Sequence, residues 1–418
     1  MNCDANENTL YHILVLGQSL SMGYATGSPL PSIEENAYMF RRVRTQDFGY
    51  VFGIGRDEYY SNADQWDSQF YEKLLPLQET GGDGDASKAW ESASPNEYET
   101  PCSGIVLGLN DAYRTAGGTG TPYSVLVSAP GIGGTPISSY APASNIYDRA
   151  VKDIQNGKRL AEEQGLSYAV LAIVWVQGEN NYGSASPEAY AAELLARKQE
   201  YTDMVRSITG QEGEIPFVTY QTMAQMSYYG HVTQHPALGQ LSAVQQQADM
   251  AMSATCYQFA TYNDRIHLTN ISSRNMGILL GHALYRLLHN ERRVLTPTEV
   301  ISNGNIVTLR FDTAIALNAD GVLASHDEEV IRKNGGFFCY NGEDQLLDIT
   351  FSLSSDQKEL TLTAAEPIAS VSYGFDAFET DWPVYSYGGI VCDAQAVSGT
   401  TGDLHEYMPV QWILQRSK

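Results

Sequence analysis

The sequence predicts an α/β protein: a three-layer α/β/α sandwich built on a parallel sheet, followed by a smaller antiparallel β-sandwich. Three observations carry that expectation. Up to Asn290, short continuous apolar runs alternate with amphipathic helical stretches, the pattern of strands buried on both faces and covered by helices. After Arg293 the texture changes to period-two alternation of apolar and polar residues with turn residues between, as in an antiparallel sheet with one solvated face. At 418 residues the chain is also longer than one core usually grows. The expected division is 1–295 and 296–418.

The first run, Ile13–Leu16, is four branched aliphatics ending at Gly17, which delivers Gln18 and Ser19 into a loop. Residues 24–100, rich in Gly, Tyr, Ser and acidic residues, are expected to be mostly loop with short strands, walling whatever lies beyond that first strand. Within them Tyr59, Tyr60, Trp66 and Trp90 offer stacking faces to a sugar ring, although loop packing is the commoner use of such residues. From Ser103, the spacing of Ile105, Val106, Leu109 and Tyr113 gives a helix. Tyr123–Ala129 is a second strand, ending in P-G-I-G-G-T-P-I; residues 146–164 form an amphipathic helix. Tyr168–Val176 is a third strand, ending in Q-G-E-N-N. Ser186, Pro187 and Glu188 open a helix with an apolar stripe of Tyr190, Leu194, Tyr201 and Val205. A strand at Phe217–Tyr220, a helix over 241–254, a short strand at Phe259–Tyr262 and a helix over Met276–Asn290 complete this half. The second half supplies V-L-T-P-T-E-V-I, N-I-V-T-L-R-F, D-I-T-F-S-L, E-L-T-L-T-A and A-S-V-S-Y-G-F.

With 49 acidic against 25 basic residues, the formal charge is −24, which disfavours nucleic acid and anionic membranes as partners. The five cysteines, at 3, 102, 256, 339 and 392, lie far apart without C-x-x-C or paired ligand spacing, so neither a disulfide framework nor a metal cluster is expected. The amino terminus has no basic or apolar region of a secretory signal, and Ala169–Val176, the longest apolar stretch, is too short to span a bilayer. A soluble protein is expected.

Four loops at carboxyl ends of predicted strands remain: G-Q-S at 17–19, G-I-G-G-T at 131–135, W-V-Q-G-E-N at 175–180 and D-R-I-H at 264–267. Acyl transfer needs a nucleophile, a base, a group that orients the base, and oxyanion donors. Ser19 is the candidate nucleophile, His267 the base and Asp264 its orienter. A backbone N–H at Gly133 or Gly134, the side chain of Gln177 and the N–H of Ser19 are candidate oxyanion donors. Glu179 orients a neighbouring loop or His267, a structural role being expected. His231 and His235 form H-x-x-x-H in a Gly- and Pro-containing segment read as a loop, where they could line the site; no metal site is expected of them. His282 and His289 fall in a predicted helix as packing or surface residues, and G-G-D-G-D at 81–85 follows no strand and reads as an acidic turn.

In this order the four loops resemble those of the SGNH (GDSL-type) hydrolase superfamily, with its flavodoxin-like sheet. They are most similar to the sialate O-acetylesterase-like branch of carbohydrate esterases, whose usual blocks are G-Q-S-N-M, G-G-[ST], W-x-Q-G-E and D-x-x-H. Leu20 departs from the common Asn and leaves the nucleophile untouched. The G-Q-S-L-S form, the E-T-P-C-S-G stretch at 99–104 and the β-rich tail also look similar to deacetylases of bacteriophage tail spikes. The resemblance implies a carbohydrate O-acetylesterase working through an acetyl-enzyme at Ser19, with Gly134 and Gln177 assisting the oxyanion and no metal or organic cofactor. It favours an extracellular or virion-associated setting over the cytoplasm. An O-acetylated carbohydrate is the partner it implies, and assembly through the β-region stays open. A lipase or thioesterase of the same superfamily, and a catalytically dead carbohydrate-binding or phage-adhesion module, are the alternatives.

Overall fold

The structure is a computed structural model and describes residues 6, 8–23, 30, 35–40, 43–45, 49–51, 70–79, 99–222, 234–262, 264, 266–319, 334–377 and 388–416. The aliphatic run around Ile13 lies in strand β1 (Thr9–Gly17), buried along its whole length. Its position explains this burial: β1 is central in a seven-stranded sheet and pairs in parallel with β6 (Ser124–Ser128) and β7 (Ser167–Val176). Strands β8 (Phe217–Gln221) and β9 (Met250–Thr255) continue the parallel array beyond β7. On the other side stand β2 (Ala37–Phe40) and β5 (Leu74–Pro76). Strand β5 runs antiparallel to β2 and forms an antiparallel edge on the expected parallel sheet. Strands β3 (Val43–Thr45) and β4 (Gly49–Val51) form a separate ribbon.

Helices cover both faces. On one, α1 (Pro101–Thr115) and α5 (Asn270–Leu288) bury a core that includes Ile13, Val15, Val174 and Leu284. On the other, α2 (Asn145–Glu163), α3 (Pro187–Thr209) and α4 (His235–Gln246) pack on Leu14, Leu16 and Trp175. Alternate residues of β1 thus feed opposite cores, as a strand's period of two requires. Ser186 caps α3 by accepting from the Ala189 N–H, with Pro187 behind it.

Two elements differ from expectation. The helix expected over 241–254 begins at His235 and stops at Gln246, and M-A-M-S-A-T becomes β9, buried on both faces. Met and Ala favour a helix intrinsically, but burial against β8 overrides propensity. The strand expected at Phe259–Tyr262 is a 3-10 turn at Cys256–Gln258 followed by a single bridge from Thr261 to Leu268.

From Glu299 the strands are antiparallel and gather in small sheets: β10 (Glu299–Asn303), β11 (Ile306–Arg310), β14 (Ile349–Leu353) and β15 (Glu359–Ala364) form one. β12 (Ile315–Leu317) pairs with β17 (Val391–Asp393); β13 (Phe337–Tyr340), β16 (Ser370–Tyr373) and β20 (Gln411–Leu414) form another; β18 (Val397–Ser398) pairs with β19 (Asp403–Leu404). Val307, Leu360, Phe337, Val371 and Val391 share one core between these sheets. The region is bolted to the α/β layers at named points. Gln221, at the end of β8, donates to Val410 O (2.9 Å) and accepts from Val410 N–H (2.7 Å). The Tyr257 hydroxyl donates to Met408 O at 2.7 Å, and Arg292 pairs with Asp393 (2.6 Å) and Glu406 (2.8 Å). Among the described residues, no helix is long and apolar enough to cross a membrane.

Candidate active site

Parallel pairing of β1 with β7 puts Gly17 beside Val176, so the Ser19 and Gln177 loops leave the sheet side by side at its carboxyl end. Leu20, Ala129, Val176 and Leu268 belong to one core cluster. Each stands near a loop that the sequence singled out.

The Ser19 turn is tight and buried. Ser21 N–H donates to Gln18 O (2.9 Å), Met22 N–H to Ser19 O (3.2 Å), and the Ser21 hydroxyl to Gln18 O (2.7 Å). Backbones approach so closely that a Cβ on Gly17 would lie 2.1 Å from Val176 O, and one on Gly131 2.0 Å from Gly17 O. Glycine is therefore required at both positions. Gly134 adopts φ +67°, a left-handed conformation that glycine takes without penalty. Among the described residues, neither the Ser19 N–H nor the Gly134 N–H has a hydrogen-bond partner.

Gln177 is fully buried and its hydrogens are committed. Nε2 donates to Asn181 Oδ1 (2.6 Å) and Thr135 O (3.1 Å), while Oε1 accepts from the Tyr190 hydroxyl (2.9 Å). As placed, it joins the G-G-T loop to the Q-G-E-N-N loop, a different role from the oxyanion donor expected. Gln18 Oε1 accepts from Asn180 N–H (3.2 Å), and the Asn180 side chain donates to Gly134 O. Asn181 also accepts from Ile137 N–H (2.9 Å). From α4, Gln240 donates to Gln177 O (3.0 Å) and accepts from Thr222 N–H (2.9 Å). Sequence reasoning did not find Gln18, Asn180, Asn181 and Gln240; the run of amides in Q-G-E-N-N was the available signal. Tyr190, part of the apolar stripe of α3, also gives its hydroxyl to Gln177.

The Asp264–His267 turn closes on itself. Asp264 Oδ1 accepts from the N–H groups of Ile266 and His267, both at 3.0 Å, and Oδ2 lies 2.6 Å from His267 Nδ1. Tyr262 N–H donates to His267 O at 2.8 Å and anchors the turn. Partial burial pushes the Asp264 carboxyl up, but those three hydrogen bonds outweigh it and hold the group below the usual carboxylate range.

Glu179 is buried beneath the site. Its Oε1 accepts from the hydroxyls of Tyr220 and, at 2.9 Å, Thr222. Burial pushes its carboxyl up, while these partners and the nearby charge of His267 pull it down; the net direction is upward. Glu179 and His267 are thus electrostatic neighbours. His235 opens α4, with Nδ1 bonded to Ser184 O at 2.7 Å, so the loop expected there is helical from this residue. Gly133 lies in the turn before Gly134, half-buried. His231, the aromatic candidates Tyr59, Tyr60, Trp66 and Trp90, and the stretch 81–85 lie outside the described residues. His282 pairs with Asp111 at 3.1 Å, far along α5.

A family model described as carbohydrate esterase, sialic acid-specific acetylesterase matches residues 62–286. That span includes Gly134, Gln177, Glu179, Asp264 and His267 and begins after Ser19. No curated protein matches the chain. Among solved structures, XAC1771, a carbohydrate acetylesterase from Xanthomonas citri, is similar over 92% of this chain and 81% of its own, at 16% identity and a TM-score of 0.50. A protein from Arabidopsis thaliana covers 66% of this chain and 97% of its own (13% identity, TM-score 0.42). NanS covers 68% and 97% (14% identity, TM-score 0.42). The first of these likenesses is one of fold; with the family model matching more than half of its length, the chain belongs to the carbohydrate esterases of the sialic acid-specific acetylesterase family.

Proposed function

We propose that the chain removes acetyl groups from an O-acetylated glycan through an acetyl-enzyme on Ser19. The observation that carries this reading is the 2.6 Å Asp264–His267 pair at the same end of the sheet as Ser19. Bonded through Nδ1, the imidazole is fixed in the tautomer that presents Nε2 as base. Ser19 Oγ attacks the acetyl carbonyl carbon and passes its proton to Nε2. The negative oxygen that develops is met by the N–H groups of Ser19 and Gly134, with Gln177 holding their loops in place. The bond to the sugar oxygen breaks as Nε2 returns the proton to that oxygen. Water, deprotonated by the same nitrogen, then attacks the acetyl carbon, and acetate leaves as Ser19 regains its proton. Glu179 supports His267 electrostatically from below. An O-acetylated polysaccharide outside the cytoplasm, including on a phage-bound surface, fits this chemistry and the acidic charge of the chain.

The test is acetate release from 4-nitrophenyl acetate and from acetylated polysaccharides by the wild type and by Ser19→Ala. Release by the wild type alone is expected, with a higher kcat/KM on acetylated sugar than on long-chain acyl esters. Comparable release by both proteins would remove Ser19 from its role. Preference for long acyl chains would favour the lipase or thioesterase reading, and polysaccharide binding without release would favour an inactive binding module.

A further inference from the structure

A groove of about 650 Å³ runs between α4, the start of α3 and the C-terminal strand β20, within the range of about 300–1,000 Å³ typical of ligand sites. One wall is aromatic: Phe375 and the half-buried Trp412 meet edge to face at 5.5 Å. Along the rest stand amides and one carboxylate, among them Gln234, Gln245, Gln415 and Glu188; no Lys or Arg is among the described lining residues. Glu188, held below the usual carboxylate range chiefly by its hydrogen bond from Ser186, is the one carboxylate among the described lining residues.

Gln234 is the telling residue. It is 1% exposed, and among the described residues neither its buried Nε2 nor its buried Oε1 has a hydrogen-bond partner. Although it stands at the N-cap position of α4, its side chain does not cap the helix. A buried donor and acceptor left unpaired are costly, and a hydroxyl-rich ligand, in which every hydroxyl both donates and accepts, would satisfy both atoms. The partly exposed face of Trp412, backed by the buried Phe375, stands beside amides without cations and suits an uncharged sugar chain and not an anionic one.

We propose that this groove is a binding subsite for the uncharged backbone of the polysaccharide deacetylated at Ser19, an inference that rests on the esterase reading for the identity of the chain bound. The geometry makes the coupling direct. One face of α4 lines the groove, while its Gln240 fastens the Gln177 loop; the opposite wall is fixed by the Gln221–Val410 pair. A glycan held here rests on the helix that fastens the Gln177 loop, and the C-terminal sheets gain a function in binding, since they supply one wall of the groove.

The experiment compares wild type, Gln234→Leu and Trp412→Ala by affinity electrophoresis in gels containing de-acetylated xylan or glucomannan, alongside KM on the acetylated forms. Gln234→Leu puts an apolar side chain of comparable volume in place of an unpaired polar group, so its melting temperature should equal or exceed that of the wild type. Its retardation and its KM on polymer should worsen by about tenfold, with kcat/KM on 4-nitrophenyl acetate within about twofold of wild type. Trp412→Ala should show the same split if it folds, and Gln234→Leu decides the matter if it does not. Unchanged retardation and polymer KM in Gln234→Leu, or no retardation of the wild type by either polysaccharide, would overturn the proposal. So would a wild-type dimer in sedimentation that Trp412→Ala dissociates, since the occupant would then be a second copy. Failure of the wild type to release acetate from the small ester would instead strike the esterase reading, and leaves the binding arm readable by itself.

Discussion

The turn carrying Ser19 is held from outside itself, whereas the turn carrying Asp264 and His267 closes on its own atoms. Around Ser19, the constraints come from Val176 O against Gly17, from Gly17 O against Gly131, and from Asn180 and Gln177 on the side chain of Gln18. Around His267, the side chain is set by a carboxylate three residues away, in a side chain still 38% exposed, and the backbone by the neighbouring Tyr262 N–H and the Thr261–Leu268 bridge. Long-range packing sets the nucleophile, and short-range hydrogen bonding sets the base. Damage to the first should therefore cost folding and rate together, and damage to the second should cost rate alone.

The largest expected effect falls on the self-contained turn. His267→Ala should lower kcat on 4-nitrophenyl acetate by about a thousandfold or more, with Asp264→Asn of similar order. Melting temperatures should stay close to wild type, because the amide introduced by Asp264→Asn keeps an oxygen for the Ile266 and His267 N–H groups. A large fall in melting temperature for either would break the contrast between the turns. A near-normal rate for His267→Ala would move the base elsewhere.

Gly131→Ala tests the other side. Its Cβ would meet Gly17 O at 2.0 Å and Ser21 Oγ at 2.8 Å, and the backbone can yield only by parting the strands. Overpacking of this kind costs about 1–3 kcal/mol, and activity should fall along with stability in urea melts. Unaltered stability would mean that the Ser19 turn is looser than its contacts imply. Gln177→Leu should cost a similar amount by another route, leaving Asn181 Oδ1 and Thr135 O without their donor at about 1–3 kcal/mol. If kcat alone fell while stability held, Gln177 would be a direct oxyanion donor after all.

The smallest effect concerns the link between the two turns. Glu99 accepts from Arg274 of α5 (2.6 Å) and from Leu30 N–H (2.7 Å), tying the helix after His267 to the chain beyond Ser19. Burial, and then the charge of Glu79, push its carboxyl up to about 8 against the pull of Arg274. Below its ordinary 4.5 the folded and unfolded chains both hold the proton. Between there and about 8 only the folded chain keeps it, so stability declines as pH rises through that window. Glu99→Gln should reduce the fall in melting temperature across it; an identical fall would show that Glu99 titrates normally.

Much of this organisation was legible in the sequence because strands buried on both faces announce themselves as aliphatic runs, and the catalytic candidates sit immediately after them. Ser19, Gly134 and Gln177 are candidates on that ground, whereas the Asp264–His267 pair follows a 3-10 turn and a single bridge, and its D-x-x-H spacing ahead of the last helix is what marks it. What the sequence hid is of two kinds. M-A-M-S-A-T carries helix-favouring residues into β9, and only the neighbouring β8 decides otherwise. The amide web through Gln18, Asn180, Asn181 and Gln240 depends on side chains brought together from separate loops, and a polar residue shows no periodicity that would reveal its partner. Gln221 illustrates the point: it closes β8 like any strand-end polar residue, yet its partner is Val410, far away in the chain.

Ser19 as nucleophile is the central claim, and its chemistry can be read directly. Treating the wild-type protein with diethyl 4-nitrophenyl phosphate to complete inactivation, and then mapping its peptides by mass spectrometry, should find a single diethylphosphoryl group on the peptide containing Ser19. His267→Ala should remain unlabelled under the same conditions. Inactivation with the label on another residue, or with Ser19 unmodified, would contradict the claim.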